Sequence, residues 1–312
     1  MTAPPPYQTA ADVFEVWRAA LFSRAAPPLY AIGTGALATV EIGPGRVVLV
    51  GGLPGGGKTA LAMQWVIEAL RNVPTLRAVV ANVEMSPAVL LDRQLARLSG
   101  VPLDAIAKRK LGAEHADRID RGLATLESVA GRLAFVAPPI GLDQIAATAD
   151  DFRGSLLLLD YLQRIRPPGE HADKRGSVDA LMDYLRRFAD AGCAVLAVSA
   201  MARTKDRRGR SSYESDGLSL ASYRESSELE YGADTAYVLA PNHDNPEAVT
   251  LRCLKHRHGE PVDVNLLFER RVQSFRPVEA EPATVDRGKL TASLRALWGS
   301  TPAAADDDGG DE

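Results

Sequence analysis

The residues able to do chemistry fall in three short segments. Gly52 to Thr59 reads Gly-Leu-Pro-Gly-Gly-Gly-Lys-Thr and fits G-x-x-x-x-G-K-[ST], the spacing of a phosphate-holding P-loop. Glycine suits such a loop because backbone N–H groups must close around phosphate oxygens, and a Cβ would hold them away. A helix-like segment follows, and its N-terminus adds partial positive charge. The expected nucleotide-binding set is Gly52, Pro54, Gly55, Gly56, Gly57, Lys58, Thr59 and Ala60. Within it, Lys58 would reach the β and γ phosphates and the Thr59 hydroxyl would ligate Mg²⁺. The second segment, Leu156 to Asp160, is an apolar run ending in an acid. An Asp at the carboxyl end of a buried strand lies beside the phosphate crevice and can hold Mg²⁺ through its water shell, as a Walker B acid does. The third is Ala81-Asn82-Val83-Glu84-Met85-Ser86. Hydrolysis of ATP needs a group that positions or deprotonates water, and Glu84 at a strand end can face the same crevice. The competing reading of Glu84 is a helix-start acid beside an N-cap, Ser86.

Alternating elements must position these groups. Apolar runs predict strands at 47–51, 78–83, 133–136, 155–160 and 193–199. Helical periodicity predicts helices at 58–72, 87–98, 142–150 and 177–190, with a more polar helical stretch at 103–130. The alternation implies an α/β fold with a mostly parallel sheet covered on both faces. From 235 the pattern changes to short strands at 235–240, 248–255 and 262–268, which suggests antiparallel hairpins at the sheet edge. Near the N-terminus, Thr9 can cap a helix running to about Ser23, with Val13, Phe14, Trp17, Leu21 and Phe22 on an apolar face. That face must pack on its own domain or on a neighbouring subunit. The expected division is an N-terminal tail and linker helix (1–30), the α/β domain (31–280), and a terminal helix with an acidic tail (281–312).

Composition narrows the setting. At 46% hydrophobic residues the chain can form a sizeable core, and no apolar run approaches a membrane span. Its N-terminus lacks signal-peptide features, and Cys193 and Cys253 sit in apolar runs without metal-ligand spacing. A cytoplasmic protein with reduced core cysteines and no membrane partner is expected. The five histidines show no metal-site spacing. The net charge of −4 hides a local imbalance, because Asp306 to Glu312 carries five acids and no base. Nucleic-acid binding is therefore not excluded.

The motifs carry a resemblance. Glu84-Met85-Ser86 followed by Leu91 and Arg93, and Asp160-Tyr161-Leu162-Gln163, resemble the EMS and DYLQ motifs of DnaB-type replicative helicases. The segment from Arg224 to Asp234 resembles that family's RESGxIExxAD run, and Lys255-His256-Arg257-His258-Gly259 its K-x-R-N-G hairpin. These motifs keep family order from about 33 to 276. The resemblance implies a RecA-like core of the superfamily 4 kind and a ring or end-to-end homo-oligomer, a hexamer being the expected form. It also implies ATP held between subunits, Glu84 as catalytic base, and Lys255 and Arg257 reaching the neighbour's γ-phosphate. An arginine supplied in trans would neutralise charge developing on the transferred group. Read without the resemblance, Lys255 and Arg257 are alternation on a solvated strand. The chain departs from the pattern at Ala200, where the family's S-Q-L run has a γ-phosphate-sensing Gln, and at His258, which replaces the hairpin's Asn. Nothing ahead of residue 30 is long enough to be the family's N-terminal domain.

A loop after the fifth strand carries Arg203, Lys205, Arg207, Arg208 and Arg210 against one acid, Asp206. Arginines on a glycine- and serine-rich loop suit sequence-independent phosphate tracking on single-stranded DNA; the bland alternative is a solvated basic loop. Residues 166–175 are a second, more mixed candidate. The expected function is an ATP-hydrolysing helicase motor on single-stranded or forked DNA, with a replication or loader protein as a further partner. Two alternatives stand beside it. One is a RecA/RadA/KaiC-like DNA-dependent ATPase or helicase loader without processive unwinding. The other is a non-motor module in which bound nucleotide stabilises an oligomer.

Overall fold

The computed structural model describes residues 7–23, 28–169, 174–201, 232–242 and 245–278. Its contacts divide the chain into two units, 1–278 and 279–312. The second unit, with the terminal helix and acidic tail expected at 281–312, lies outside the described residues. So do the basic loop (Arg203, Lys205, Arg207, Arg208, Arg210) and most of the Arg224–Asp234 motif.

Helix α1 (Ala10–Phe22) begins at a capping box, in which Thr9 and Asp12 satisfy each other's backbone N–H. None of its residues is buried; Phe14, Trp17, Leu21 and Phe22 are all about half exposed or more. Packing on its own domain, the blander expectation for this helix, is not what the structure shows.

The sheet is built on β1 (Val47–Gly52), every residue of which is buried. The other parallel strands are β2 (Ala78–Asn82), β3 (Leu133–Phe135), β4 (Leu156–Asp160), β5 (Ala194–Ala200) and β6 (Thr235–Pro241). Then come the antiparallel strands β7 (Ala248–His256), β8 (Val264–Glu269) and β9 (Ser274–Pro277), giving the order β3-β2-β4-β5-β1-β6-β7-β8-β9. β6 therefore has two roles: it is parallel to β1 and also opens the antiparallel hairpins. β9, a fourth strand after 235, has no apolar run to announce it.

Side chains alternate across the strands with a period of two, and each set finds its own cover. Val48, Val50, Val80, Leu158, Leu196 and Val198 pack under α2 (Lys58–Asn72), with α3 (Pro87–Ser99) above. The polar helical stretch divides into α4 (Leu103–Ala107), a 3₁₀ turn at Ala113–His115, and α5 (Ala116–Ala130). On the other face Val47, Leu49, Leu157, Leu159 and Val195 meet α6 (Leu142–Phe152) and α7 (Lys174–Asp190). The antiparallel end curls over α2. Buried Gln64 both donates to the Phe275 carbonyl (2.7 Å) and accepts from its N–H (2.9 Å), fastening α2 to β9. Cys193 and Cys253 are free thiols at partly buried and buried positions. No helix among the described residues is long and apolar enough to cross a membrane.

Candidate active site

The P-loop leaves the carboxyl end of β1 between β5 and β6, where the chain departs for the distant β2. That break in strand order opens a crevice of the kind α/β sheets use for ligands. A cavity of about 740 Å³ lies there, lined by Pro54, Gly55, Gly57, Lys58, Thr59, Glu84, Met85, Arg93, Asp160, Tyr161, Ala200, Phe268, Arg270 and Gln273. Its size suits a nucleotide-scale ligand. Gly57 must be glycine on two counts. Its φ of +92° is left-handed, and a Cβ would come within 2.7 Å of the Phe268 and Phe275 rings. Those rings stack at 4.1 Å and 2° beneath the loop. Gly56 closes the turn by donating to Leu53 O, and Gly52 gives its carbonyl to Lys58. Ala60 is buried in the first turn of α2.

Lys58 Nζ donates to the Gly52 and Leu53 carbonyls at 2.9 and 2.8 Å, so the ammonium is folded onto its own loop. Burial lowers its pKa, against the pull of Asp160 and Glu84. Asp160 is 4% exposed and accepts from the Thr59 hydroxyl at 2.6 Å. Burial pushes its pKa up, and Glu84 adds to the shift; Thr59, Lys58 and Arg93 oppose it. Thr59 Oγ1 and the Asp160 carboxylate form a hard oxygen pair beside the phosphate loop. That pair fits a hydrated Mg²⁺, which typically keeps several waters and takes few protein oxygens.

Asn82 escaped sequence reasoning, and it organises two of the three segments. Its Nδ2 donates to Asp160 Oδ2 at 2.7 Å, while its Oδ1 accepts from the Glu84 and Met85 N–H groups at 3.0 and 2.7 Å. One amide thus holds the strand-ending acid and sets the turn that carries Glu84 to the cavity wall. An Asn two residues before Glu84, able to make such a turn, was the available signal. Ser86 does occupy the N-cap of α3, but its side chain makes no capping bond. Glu84 itself is exposed at the cavity mouth.

Ala200, the last residue of β5, also lines the cavity. The Gln163 amide, from the Asp160-Tyr161-Leu162-Gln163 motif, is engaged at the end of β5. It donates to Ser199 Oγ (2.8 Å) and Ala200 O (3.1 Å) and accepts from Ala200 N (3.1 Å).

Lys255 and Arg257 are not brought to this cavity. Lys255 pairs with Ala236, and Arg257 N donates to Asp234 O, at the end of the sheet where β1 begins. The six residues of β1 put about 17 Å between that end and the P-loop. Asp234, 2% exposed, accepts from Val47 N (2.8 Å), Arg186 Nη1 (2.7 Å) and Arg257 Nη1 (3.0 Å). Burial alone would raise its pKa; the Val47 amide and the Arg186 and Arg257 guanidiniums outweigh it and hold the carboxyl below its usual range. His258 lies 3.7 Å from the same carboxylate.

A mostly parallel sheet with a P-loop at its switch point, a strand-ending Asp on the loop's Thr and an antiparallel flap over α2 defines a RecA-like P-loop domain. The chain belongs to the family of the DnaB-like helicase C terminal domain, whose model matches residues 38–277. Its fold is similar to that of a solved structure described as an ATPase domain, with a TM-score of 0.75 at 18% identity, covering 87% of this chain and 99% of that one. It is similar also to a solved DnaB-like replicative helicase, described together with its interactions with primase, with a TM-score of 0.74 at 18% identity, covering 88% of this chain and 68% of that one. Among curated proteins none matches the sequence.

Proposed function

We propose that this chain is an ATP-hydrolysing helicase motor that acts on single-stranded or forked DNA, with each ATP site completed by a neighbouring subunit. The observation that carries the reading is the placement of two half-sites at opposite ends of β1. Lys58, Thr59, Glu84 and Asp160 gather at one end, while Lys255 and Arg257 stand at the other, beyond reach of their own cavity. Loop amides and Lys58 hold the phosphates, and Thr59 and Asp160 hold Mg²⁺, which when bound neutralises charge on the β and γ oxygens. Glu84 orients the attacking water at the cavity mouth. Arg257 and Lys255 add further cations to a second copy's site, so hydrolysis requires assembly, in a hexameric ring or an open end-to-end array. The exposed apolar face of α1 is the natural subunit contact. Arg203, Lys205, Arg207, Arg208 and Arg210 follow β5, whose last residue lines the ATP cavity, a position from which DNA contact and nucleotide state can be linked. A replication or loader protein fits the family context, and a cytoplasmic location fits the chemistry.

The assay is DNA-stimulated ATP turnover and forked-duplex unwinding by wild type, with both lost in Lys58→Ala. Activity should fall steeply with salt if the loop tracks phosphates. Mixing Glu84→Gln subunits with Arg257→Ala subunits should restore part of the turnover that each lacks alone. Unchanged activity in Arg257→Ala by itself would refute the shared site. One observation favours a second reading: Ala200, where the family's pattern has a γ-phosphate-sensing Gln, lines the cavity without a side-chain donor, which suits a DNA-dependent ATPase or loader that does not unwind processively, or a nucleotide-stabilised module. Turnover without unwinding selects the former, and nucleotide-dependent assembly without turnover the latter.

A further inference from the structure

Glu84 reaches the cavity mouth with nothing gripping its carboxylate, which makes no hydrogen bond or ion pair among the described residues. Such a side chain is aimed by its backbone alone. The helix that follows gives little help: the Ser86 side chain makes no capping bond, and Pro87 has no N–H to offer. The grip comes from the strand side. Val83 N donates to Asp160 O at 2.9 Å, and the next two N–H groups, of Glu84 and Met85, are both taken by Asn82 Oδ1. Backbone N–H groups can only donate, so those two bonds fix which way the Asn82 amide faces. Its Nδ2 is left to meet Asp160 Oδ2 at 2.7 Å, the oxygen that also accepts from Thr59.

Asn82 and Asp160 are register partners on β2 and β4, so neighbouring strands hold the amide and the carboxylate side by side. Thr59 stands in the first turn of α2. Thr59, Asp160, Asn82 and the Glu84 turn therefore form one hydrogen-bonded row from the P-loop to the cavity mouth. Val83 and Met85 also anchor the segment, packing against the cores on opposite faces of the sheet. Apolar packing holds the segment to the domain without fixing a direction, because burial is non-directional. The direction is left to the amide.

We propose that Asn82 is a positioning residue for ATP hydrolysis that acts through Glu84. It sets the direction from which that carboxylate meets the attacking water, with Asp160 as the fixed point. This rests on the reading of Glu84 as the group that orients water. The demand is geometric, since a misplacement of about 1 Å can cost on the order of 100-fold in rate. Holding the nucleotide makes no such demand: the P-loop does that, and Asn82 itself does not line the cavity.

The test combines steady-state ATP turnover by the full chain, equilibrium binding of ADP, and hydrogen exchange at the Glu84 and Met85 amides without nucleotide. Asn82→Ala should lower kcat by roughly 10- to 100-fold while KM and ADP affinity stay within about twofold of wild type. The two amides should exchange faster, having lost their acceptor. Asn82→Ser, whose hydroxyl makes the same turn more weakly, should recover part of both the rate and the protection. In a Glu84→Gln background Asn82→Ala should cost little more, because residues acting as a unit are not additive. Wild-type kcat in Asn82→Ala, with both amides exchanging faster, would overturn the assignment. So would a full further loss in the Glu84→Gln background, which routes the effect through Asp160 instead. A fall in ADP affinity that matches the fall in kcat/KM would make Asn82 a strut of the site and overturn it likewise. Wild-type turnover in Glu84→Gln would remove the reading of Glu84 and this proposal with it, leaving phosphate binding by the P-loop to stand on the ADP affinity.

Discussion

Asp160 is a buried carboxylate whose surroundings disfavour its charge. Burial, with the nearby charge of Glu84, holds its pKa above the usual range against the opposing pull of Thr59, Lys58 and Arg93. The sign follows: this group's stabilising contribution is complete below the ordinary carboxylate range and is lost as pH rises through the elevated value. Asp160→Asn removes the charge yet keeps an oxygen to accept from Thr59 and Asn82. Its nucleotide-free melting temperature at neutral pH should rise by about 2–4 °C, while ATP turnover falls to background. A melting temperature below wild type would contradict this. The residues flanking Asp160 divide by legibility. Lys58, Thr59 and Asp160 could be read from spacing, because a phosphate loop imposes residue types at fixed intervals. Asn82, Gln163, Arg270 and Gln273 could not, because their partners lie far off in sequence and are met only through the sheet and the β8–β9 turn.

Among the elements, α2 and β1 match their sequence signals closely, since a fully buried strand and a helix buried on most sides leave little compositional ambiguity. β9 was invisible: its four residues, Ser-Phe-Arg-Pro, are specified by pairing with β8 and by Gln64 rather than by local pattern. α1 was legible as a helix but not in its destination. Its apolar face, open in this chain, should be covered in the assembly. Phe14→Glu with Trp17→Glu should reduce the oligomer's mass in the presence of an ATP analogue, with melting of the separated chain changed by about 0.5 kcal/mol or less. An undiminished oligomer would place the contact elsewhere.

At the scale of the whole domain, Asp234 joins four parts of the structure: the start of β1 through Val47, the lead-in to β6, α7 through Arg186, and the end of β7 through Arg257. Removing its carboxylate leaves the Val47 N–H without its acceptor and takes one partner each from Arg186, which keeps Asp190 and the Gly45 carbonyl, and from the half-exposed Arg257. Asp234→Ala should therefore cost about 1–3 kcal/mol in denaturant unfolding, the scale of a buried donor left unsatisfied. The wild-type contribution should be present above the ordinary carboxylate range and lost as pH falls through the lowered pKa of Asp234. A loss under about 1 kcal/mol, the scale of an exposed pair, would show that the cluster is not structural. The same cluster holds Arg257 at the far end of β1 from the P-loop, so one buried acid sets the base from which a neighbour's phosphates would be reached.

By itself, the sequence determined the fold and the phosphate-loop spacing of Gly52–Thr59, because periodicity and residue spacing are local constraints. The tertiary structure alone decided which groups share the cavity, since strand order carries Asn82, Arg93, Gln273 and Asp160 together from distant points in the chain. It also decided which groups do not: Lys255 and Arg257 stand the length of β1 away from that cavity.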